Sequence, residues 1–255
     1  DAETGQEQQP SWPRKAVYGL AFSRQGNLLA ASGRGDVRLR NLLTGREWTV
    51  PAGREDASVY SIEFFPDGGT VVAGLEPEEG KDPACVQLTD LKSGKDRVLR
   101  GPAMWVWSVA VSADGRRLAA GARNGQVHTW ELPSEEPREE LSTGLEICRI
   151  AFSPADGTLA VCGGSTIQIW NPSTSTRVKE WTDPRGEVWC IAFSPDGAVL
   201  ASGGTQVTLW HPKSGERIGS VEGHGDVVGG VAYSPDGEIL ATACWDGLLR
   251  LRGVP

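Results

Sequence analysis

The chain has 255 residues, 39% hydrophobic and 23% charged, with a formal net charge of −8. This is the composition of a soluble globular protein long enough to bury a core without disulfide or metal staples. The acidic balance argues against wrapping nucleic acid, which needs a basic surface to displace counterions, and no run approaches the roughly 18–20 apolar residues of a membrane span.

The first residues, Asp1 to Gly5, have neither the basic n-region nor the apolar h-region of a signal peptide, and no initiator Met. A processed chain, or a piece cut from something larger, is therefore expected. Five cysteines (Cys85, Cys148, Cys162, Cys190 and Cys244) are odd in number and form no C-x-x-C pair. Four sit among apolar neighbours and read as small buried hydrophobes, which points to a reducing, cytoplasmic setting.

One phrase recurs along the chain: an alternating apolar run ending in an aromatic, a Ser-Pro-Asp-Gly turn, then Leu-Ala and a small residue. Its turn glycines are Gly26, Gly68, Gly115, Gly157, Gly197 and Gly237, at steps of 42, 47, 42, 40 and 40 residues. From Gly237 off the end and back to Gly26 is 44 residues, one more period. Repeats of this length built of short strands signal a radial array. The units run approximately over 14–55, 56–102, 103–144, 145–184, 185–224 and 225–255, the last completed by 1–13. The second is interrupted by an acidic loop at 76–83. The fifth is the clearest: strands at 188–193, 199–203, 206–210 and 217–221, reversed at Asp196-Gly197 and Ser214-Gly215. Pro sets φ and Gly accepts positive φ in such turns. The prediction is an all-β, six-bladed propeller with four antiparallel strands per blade and no helix.

The units resemble WD-repeat blades of the bacterial type over essentially the whole chain. The resemblance rests on Gly223-His224, on Ser194-Pro195-Asp196-Gly197, and on Trp130, Trp170 and Trp210 where a Trp-Asp pair would fall. It implies a rigid disc that presents loops to protein or peptide partners. In bacteria such propellers are often appended to kinases, NTPases or proteases as sensing or assembly domains. The family often carries a buried His, Ser/Thr, Asp and Trp network, but no blade here has all four. The last has His224, Thr242 and Asp246, with Arg252 in the Trp position. Apolar packing is therefore expected to dominate. Because the last unit stops after its third strand, residues 6–12 are expected to supply its fourth and close the ring, which leaves no open sheet edge.

Catalytic patterns are thin. His128, His211 and His224 lie in different blades with no ligand spacing, and Asp67, Asp114, Asp196 and Asp236 sit at turns, where Asp is a turn former first. Arg34-Gly35-Asp36 spells an adhesion tripeptide but reads as a blade turn. No catalytic residue, cofactor or metal is assigned.

The informative set lies four residues before the Phe position of each unit: Tyr18, Tyr60, Trp107, Cys148, Trp189 and Gly229. These positions should ring one mouth of the central channel, joined by Trp105, Trp245, Arg34 and Arg123 from connections on that face. Aromatics with Arg on a concave face compose a protein-binding hot spot, and packing of the rings between blades is the plain alternative. Cys148 and Gly229 break the ring, so the site is expected on blades one, two, three and five. Arg38, Arg40, Arg250 and Arg252 form a candidate basic seam between blades six and one, fitted to an acidic or phosphorylated peptide. The sequence leads to the expectation of a non-enzymatic, monomeric interaction scaffold with a protein or peptide partner and neither nucleic acid nor membrane. Two other classes stay in view: a small-molecule-binding or enzymatic propeller with a site at the channel mouth, and a structural or oligomerisation module.

Overall fold

The computed structural model describes residues 16–53, 57–76, 84–102, 104–135, 137, 139–146 and 149–254. Blade one is built from β1 (Gly19–Phe22), β2 (Leu28–Ser32), β3 (Asp36–Asn41) and β4 (Glu47–Pro51). Blade two has β5 (Ser61–Phe64), β6 (Thr70–Gly74), β7 (Ala84–Asp90) and β8 (Asp96–Arg100). Blade three has β9 (Val106–Val111), β10 (Arg117–Ala122), β11 (Gln126–Glu131) and β12 (Glu139–Ser142). Blade four has β13 (Arg149–Phe152), β14 (Leu159–Gly163), β15 (Thr166–Asn171) and β16 (Thr176–Thr182). Blade five has β17 (Cys190–Phe193), β18 (Leu200–Gly203), β19 (Val207–His211) and β20 (Glu216–Val221). Blade six has β21 (Val228–Tyr233), β22 (Ile239–Cys244) and β23 (Leu249–Gly253). Every sheet is antiparallel and in chain order, and the molecule is the six-bladed β-propeller the repeat predicts. Among the described residues there is no helix, so none long and apolar enough to cross a membrane.

The phrase sets the same register in each blade. Phe22 pairs with Leu29, Phe64 with Val71, Val111 with Leu118, Phe152 with Leu159, Phe193 with Leu200, and Tyr233 with Leu240. The intervening turn is held by side chains. In blade five Ser194 Oγ accepts the Val199 N–H at 2.9 Å and donates to Asp196 Oδ1 at 2.6 Å, which also accepts the Ala198 N–H. Ser112 with Asp114 repeats this in blade three, and Ser234 with Asp236 in blade six. The serine hydroxyl first, and a backbone N–H second, hold these three carboxyls below the ordinary Asp value. They are turn builders, as read from the sequence.

Neighbouring blades pack inner strand to inner strand, from β1 through β5, β9, β13 and β17 to β21. In each seam the apolar side chains of one inner strand enter the preceding sheet. Ile62 and Phe64 meet Ala30, Val37 and Leu39, whereas Val109 and Val111 meet Val72, Val86 and Leu88. Ile150 and Phe152 meet Ala119 and Val127, and Ile191 meets Ala160, Ile167 and Ile169. Burying each such side chain is worth about 1.5–3 kcal/mol. The turns nest as well: a Cβ on Gly115 would lie 3.4 Å from Pro66, and one on Gly237 would lie 3.4 Å from Pro195.

The polar network is fragmentary. Trp210 Nε1 donates to Ser202 Oγ at 2.8 Å and Trp170 Nε1 to Gln168 Oε1 at 2.8 Å, while the buried Trp130 Nε1 has no partner. His224 Nε2 meets Thr242 Oγ1 at 2.6 Å in blade six. The expected closing strand at 6–12 and most of the 76–83 loop lie outside the described residues. The faces that direct closure of blade six on blade one would bury are exposed: Leu20 at 61%, Phe22 at 62%, Leu249 at 67% and Leu251 at 42%.

Candidate functional site at the channel mouth

Strand-one positions ring the mouth as the repeat requires, and the side chains sort into two stacks. Tyr18 and Tyr60 lie 5.3 Å apart between ring centroids, and Tyr60 stacks on Trp107 at 5.3 Å and on Trp105 at 6.2 Å. The Arg123 guanidinium sits 5.7 Å from the Trp107 ring. The second stack pairs Trp189 with Trp245 at 5.6 Å. Gly229 makes this pair possible, since a Cβ there would come within 3.0 Å of Trp245 Nε1. Rings of Tyr18 and Tyr60 thus pack on one another across blades, the plainer of the two readings of the aromatic set.

Between the stacks, in front of blade four, lies a cavity of about 570 Å³. Trp107 and Trp189 are its walls, with Arg123, Glu146 and Glu187 at the rim and residues 163–166 at the floor. Its space comes from small groups: a Cβ on Gly163 would strike the Glu146 carbonyl oxygen at 2.2 Å, and Gly164 has φ +54°. Arg123 Nε binds Glu146 Oε1 at 2.6 Å, so that pair is internally neutral. Glu187 has no basic partner among the described residues and carries the site's net negative charge. Trp107 Nε1 is buried without a partner, and its carbonyl accepts from Arg149 Nη1 at 3.0 Å. A second, more open hollow lined by Met104, Asn124 and the Arg123–Glu146 pair continues the cavity outward.

Of the residues singled out from sequence, the structure brings Trp107, Trp189 and Arg123 together around the cavity. Tyr18, Tyr60, Trp105 and Trp245 share the face without lining it, and Cys148 lies outside the described residues. Arg34 does not line it either, and its backbone bridges to Ser58. The open space sits on blades three to five, where the aromatic ring is interrupted, because interruption creates room that stacked rings fill elsewhere. Glu146 and Glu187 were missed. Both stand two residues before the ring position in adjoining units, a coincidence visible in the repeat alignment.

Three of the four seam arginines are paired within their own blades. Arg38 bonds Asp36 at 3.4 Å, Arg40 meets Glu47 at 3.6 Å, and Arg250 meets Asp246 at 3.1 Å. Arg252 follows on β23 and is exposed. Near them, ligand atoms of His224, Cys244 and Asp246 lie within 4.8 Å of one another. Arg250 Nη1 occupies this cluster, 2.7 Å from His224 Nδ1. Burial pushes the Asp246 carboxyl up, but the N–H groups of Gly225 and Leu248, the Cys244 thiol and Arg250 together hold it well below the ordinary value. A fixed guanidinium in its midst makes the group a polar latch under the Trp245 turn rather than a cation site.

The model of the WD domain, G-beta repeat, matches residues 95–131, 139–171, 175–211 and 215–252. The chain belongs to the WD40 family. Among curated proteins it is 33% identical to Coronin-7 of Mus musculus over 49% of this chain and 13% of that protein. It is 26% identical to the Protein LST8 homolog of Drosophila melanogaster over 70% and 59%, and 32% identical to small ribosomal subunit protein RACK1 of Medicago sativa over 32% and 25%. The chain thus spans between 13% and 59% of these relatives' own lengths. A chain in the crystal structure of a mitotic checkpoint complex superposes with a TM-score of 0.74 at 22% identity, covering 93% of this chain and 87% of that one. That likeness shows the propeller fold.

Proposed function

We propose that this WD40 propeller is a non-enzymatic interaction module that captures a protein segment at the channel mouth, with a Lys or Arg side chain of the partner entering between Trp107 and Trp189. The carrying observation is the cavity of about 570 Å³ walled by two indoles and bearing the unpaired carboxylate of Glu187. Aromatic faces beside a carboxylate attract a cation more strongly than either alone. The neutral Arg123–Glu146 pair offers further hydrogen bonds at the rim. Family membership and relatives such as RACK1 and the LST8 homolog support the scaffold class. A cytoplasmic, reducing setting belongs to the same proposal, supported by five cysteines that are odd in number and form no C-x-x-C pair. So does the bacterial type, which rests on the repeat phrase alone, since these relatives are eukaryotic.

Selection from a displayed library of random decapeptides tests the reading. The parent should enrich Lys- and Arg-bearing sequences, and Trp107→Ala and Trp189→Ala should each lower affinity for a selected peptide at least about tenfold while still melting cooperatively. Enrichment without basic residues, or undiminished binding by both variants, would remove the site from this cavity.

A further inference from the structure

We propose that the partner segment carries a large apolar side chain two positions from its basic residue, and that this side chain fills the outer hollow beside Met104 and Leu145. The proposal rests on the reading that a Lys or Arg enters between Trp107 and Trp189, and adds a second anchor to it.

The two spaces share a wall. The outer hollow holds about 490 Å³, and four of its six lining residues, Arg123, Gly144, Leu145 and Glu146, also line the cavity. The Arg123–Glu146 ion pair, 2.6 Å long, belongs to both and forms the ridge between them. An extended segment advances about 3.3 Å per residue and sends residues i and i+2 to the same side, about 7 Å apart. Laid across the ridge, it puts one side chain into each space and turns the residue between them to solvent.

The chemistry of the outer hollow selects an apolar occupant. Its polar side chains already bond one another or their neighbours. Arg123 Nε donates to Glu146 Oε1, and Asn124 Nδ2 donates to Gln126 Oε1 at 2.8 Å. Gln126 Nε2 donates in turn to Glu140 Oε1 at 2.9 Å. What these bonds leave is the side chain of Met104, 43% exposed in the β8–β9 connection, and the half-buried Leu145. Met104 is the single methionine of the chain. An unbranched, polarizable thioether adapts to apolar groups of different shape, so Leu, Ile, Met and Phe all fit against it.

The opposite wall is fixed. The Leu145 N–H donates to Thr143 Oγ1 at 3.2 Å, and that hydroxyl donates to the Gly125 carbonyl at 2.9 Å. The β10–β11 turn approaches so closely that a Cβ on Gly125 would lie 2.6 Å from the Leu145 carbonyl oxygen. Contact with Leu145 therefore requires little ordering of the propeller, which favours affinity. Charge sets the register. Glu187 lines the inner cavity and not the outer hollow, where the charges cancel within the Arg123–Glu146 pair. The basic residue is drawn inward and the apolar one outward, so the two anchors do not exchange places.

The decapeptide selection tests this register. Among enriched Lys- or Arg-bearing peptides, a large apolar residue should recur at one fixed offset, two positions from the basic residue. In a selected peptide, replacing that apolar residue by Ser should weaken binding to the parent about tenfold or more. Met104→Gln keeps length and charge and should weaken the unaltered peptide about fivefold; against this variant the Ser replacement should cost under about threefold. Met104→Leu should bind within about twofold of the parent. Replacing the basic residue of the peptide should weaken binding to the parent and to Met104→Gln alike. Basic residues without an apolar companion at that offset would overturn the outer anchor and leave the cavity its cation. The same holds for an equal loss from the Ser replacement against the parent and Met104→Gln. Enrichment without basic residues is a separate failure, which removes the occupant of the cavity and the register with it.

Discussion

Phe22 and Phe64 stand at the same position of the same repeat, and only one is buried. Phe64 enters the sheet of blade one against Ala30, Val37 and Leu39 and is 6% exposed, whereas Phe22 is 62% exposed. Their own strands, turns and registers match. The difference lies in the neighbour: an apolar residue contributes to stability when a preceding sheet supplies the complementary face. Alanine substitution breaks or sharpens this comparison. Phe64→Ala should cost about 3–4 kcal/mol, through lost transfer and a residual cavity, and Phe22→Ala under about 1 kcal/mol, both read by urea unfolding. Equal costs would show that the two seams are alike in solution.

A second contrast lies at the position after Ile62. The repeat places Ala21, Ala110, Ala151, Ala192 and Ala232 there, and blade two places Glu63. Its Oε2 accepts the Val111 N–H at 3.1 Å across the seam. Burial pushes the carboxyl up to about 8, against the opposing pull of that N–H. Below the ordinary value of 4.5, folded and unfolded chains both hold the proton. As pH rises from there to about 8 only the folded chain holds it, so this residue's contribution to stability is progressively lost. Glu63→Gln keeps an oxygen for Val111 and removes the titration. Part of the Glu63 surface still reaches solvent, so the variant should gain about 2–3 kcal/mol over the parent at pH 9 and almost nothing at pH 4.5. A difference independent of pH would assign Glu63 an ionised, solvated state.

These contrasts explain what the sequence discloses. The repeat phrase makes blade, register and turn legible, because both are local: the pairing of Phe193 with Leu200 recurs in every unit, and the Ser194–Asp196 turn recurs in blades three and six. The aromatic ring is legible for the same reason. The cavity is less so, because glycines at 163 and 164 and the gap between two stacks create it, and empty space leaves no residue to count. Closure of blade six on blade one is not legible from spacing. A 44-residue wrap fixes a distance along the chain, whereas closure depends on the angle each pair of sheets adopts when it packs.

The smallest expected effect concerns blades three and five. Ser202 pairs with Thr208 on β19, and in blade three Ala120 pairs with His128 at the equivalent place. Trp210 therefore has a hydroxyl for its indole N–H, and Trp130, 1% exposed, has none. A buried donor left unmatched forfeits its water without compensation. Ser202→Ala puts Trp210 in the condition of Trp130 and should cost about 1–1.5 kcal/mol. Ala120→Ser should do the reverse in blade three and gain about 0.5–1 kcal/mol, less than the reciprocal loss because Ala120 is fully buried and the added hydroxyl must find its own room. Opposite signs in thermal unfolding would show that the hydrogen bond, rather than apolar packing alone, separates these two blades. A loss in both variants would mean that blade three is packed too tightly to accept the partner its tryptophan lacks.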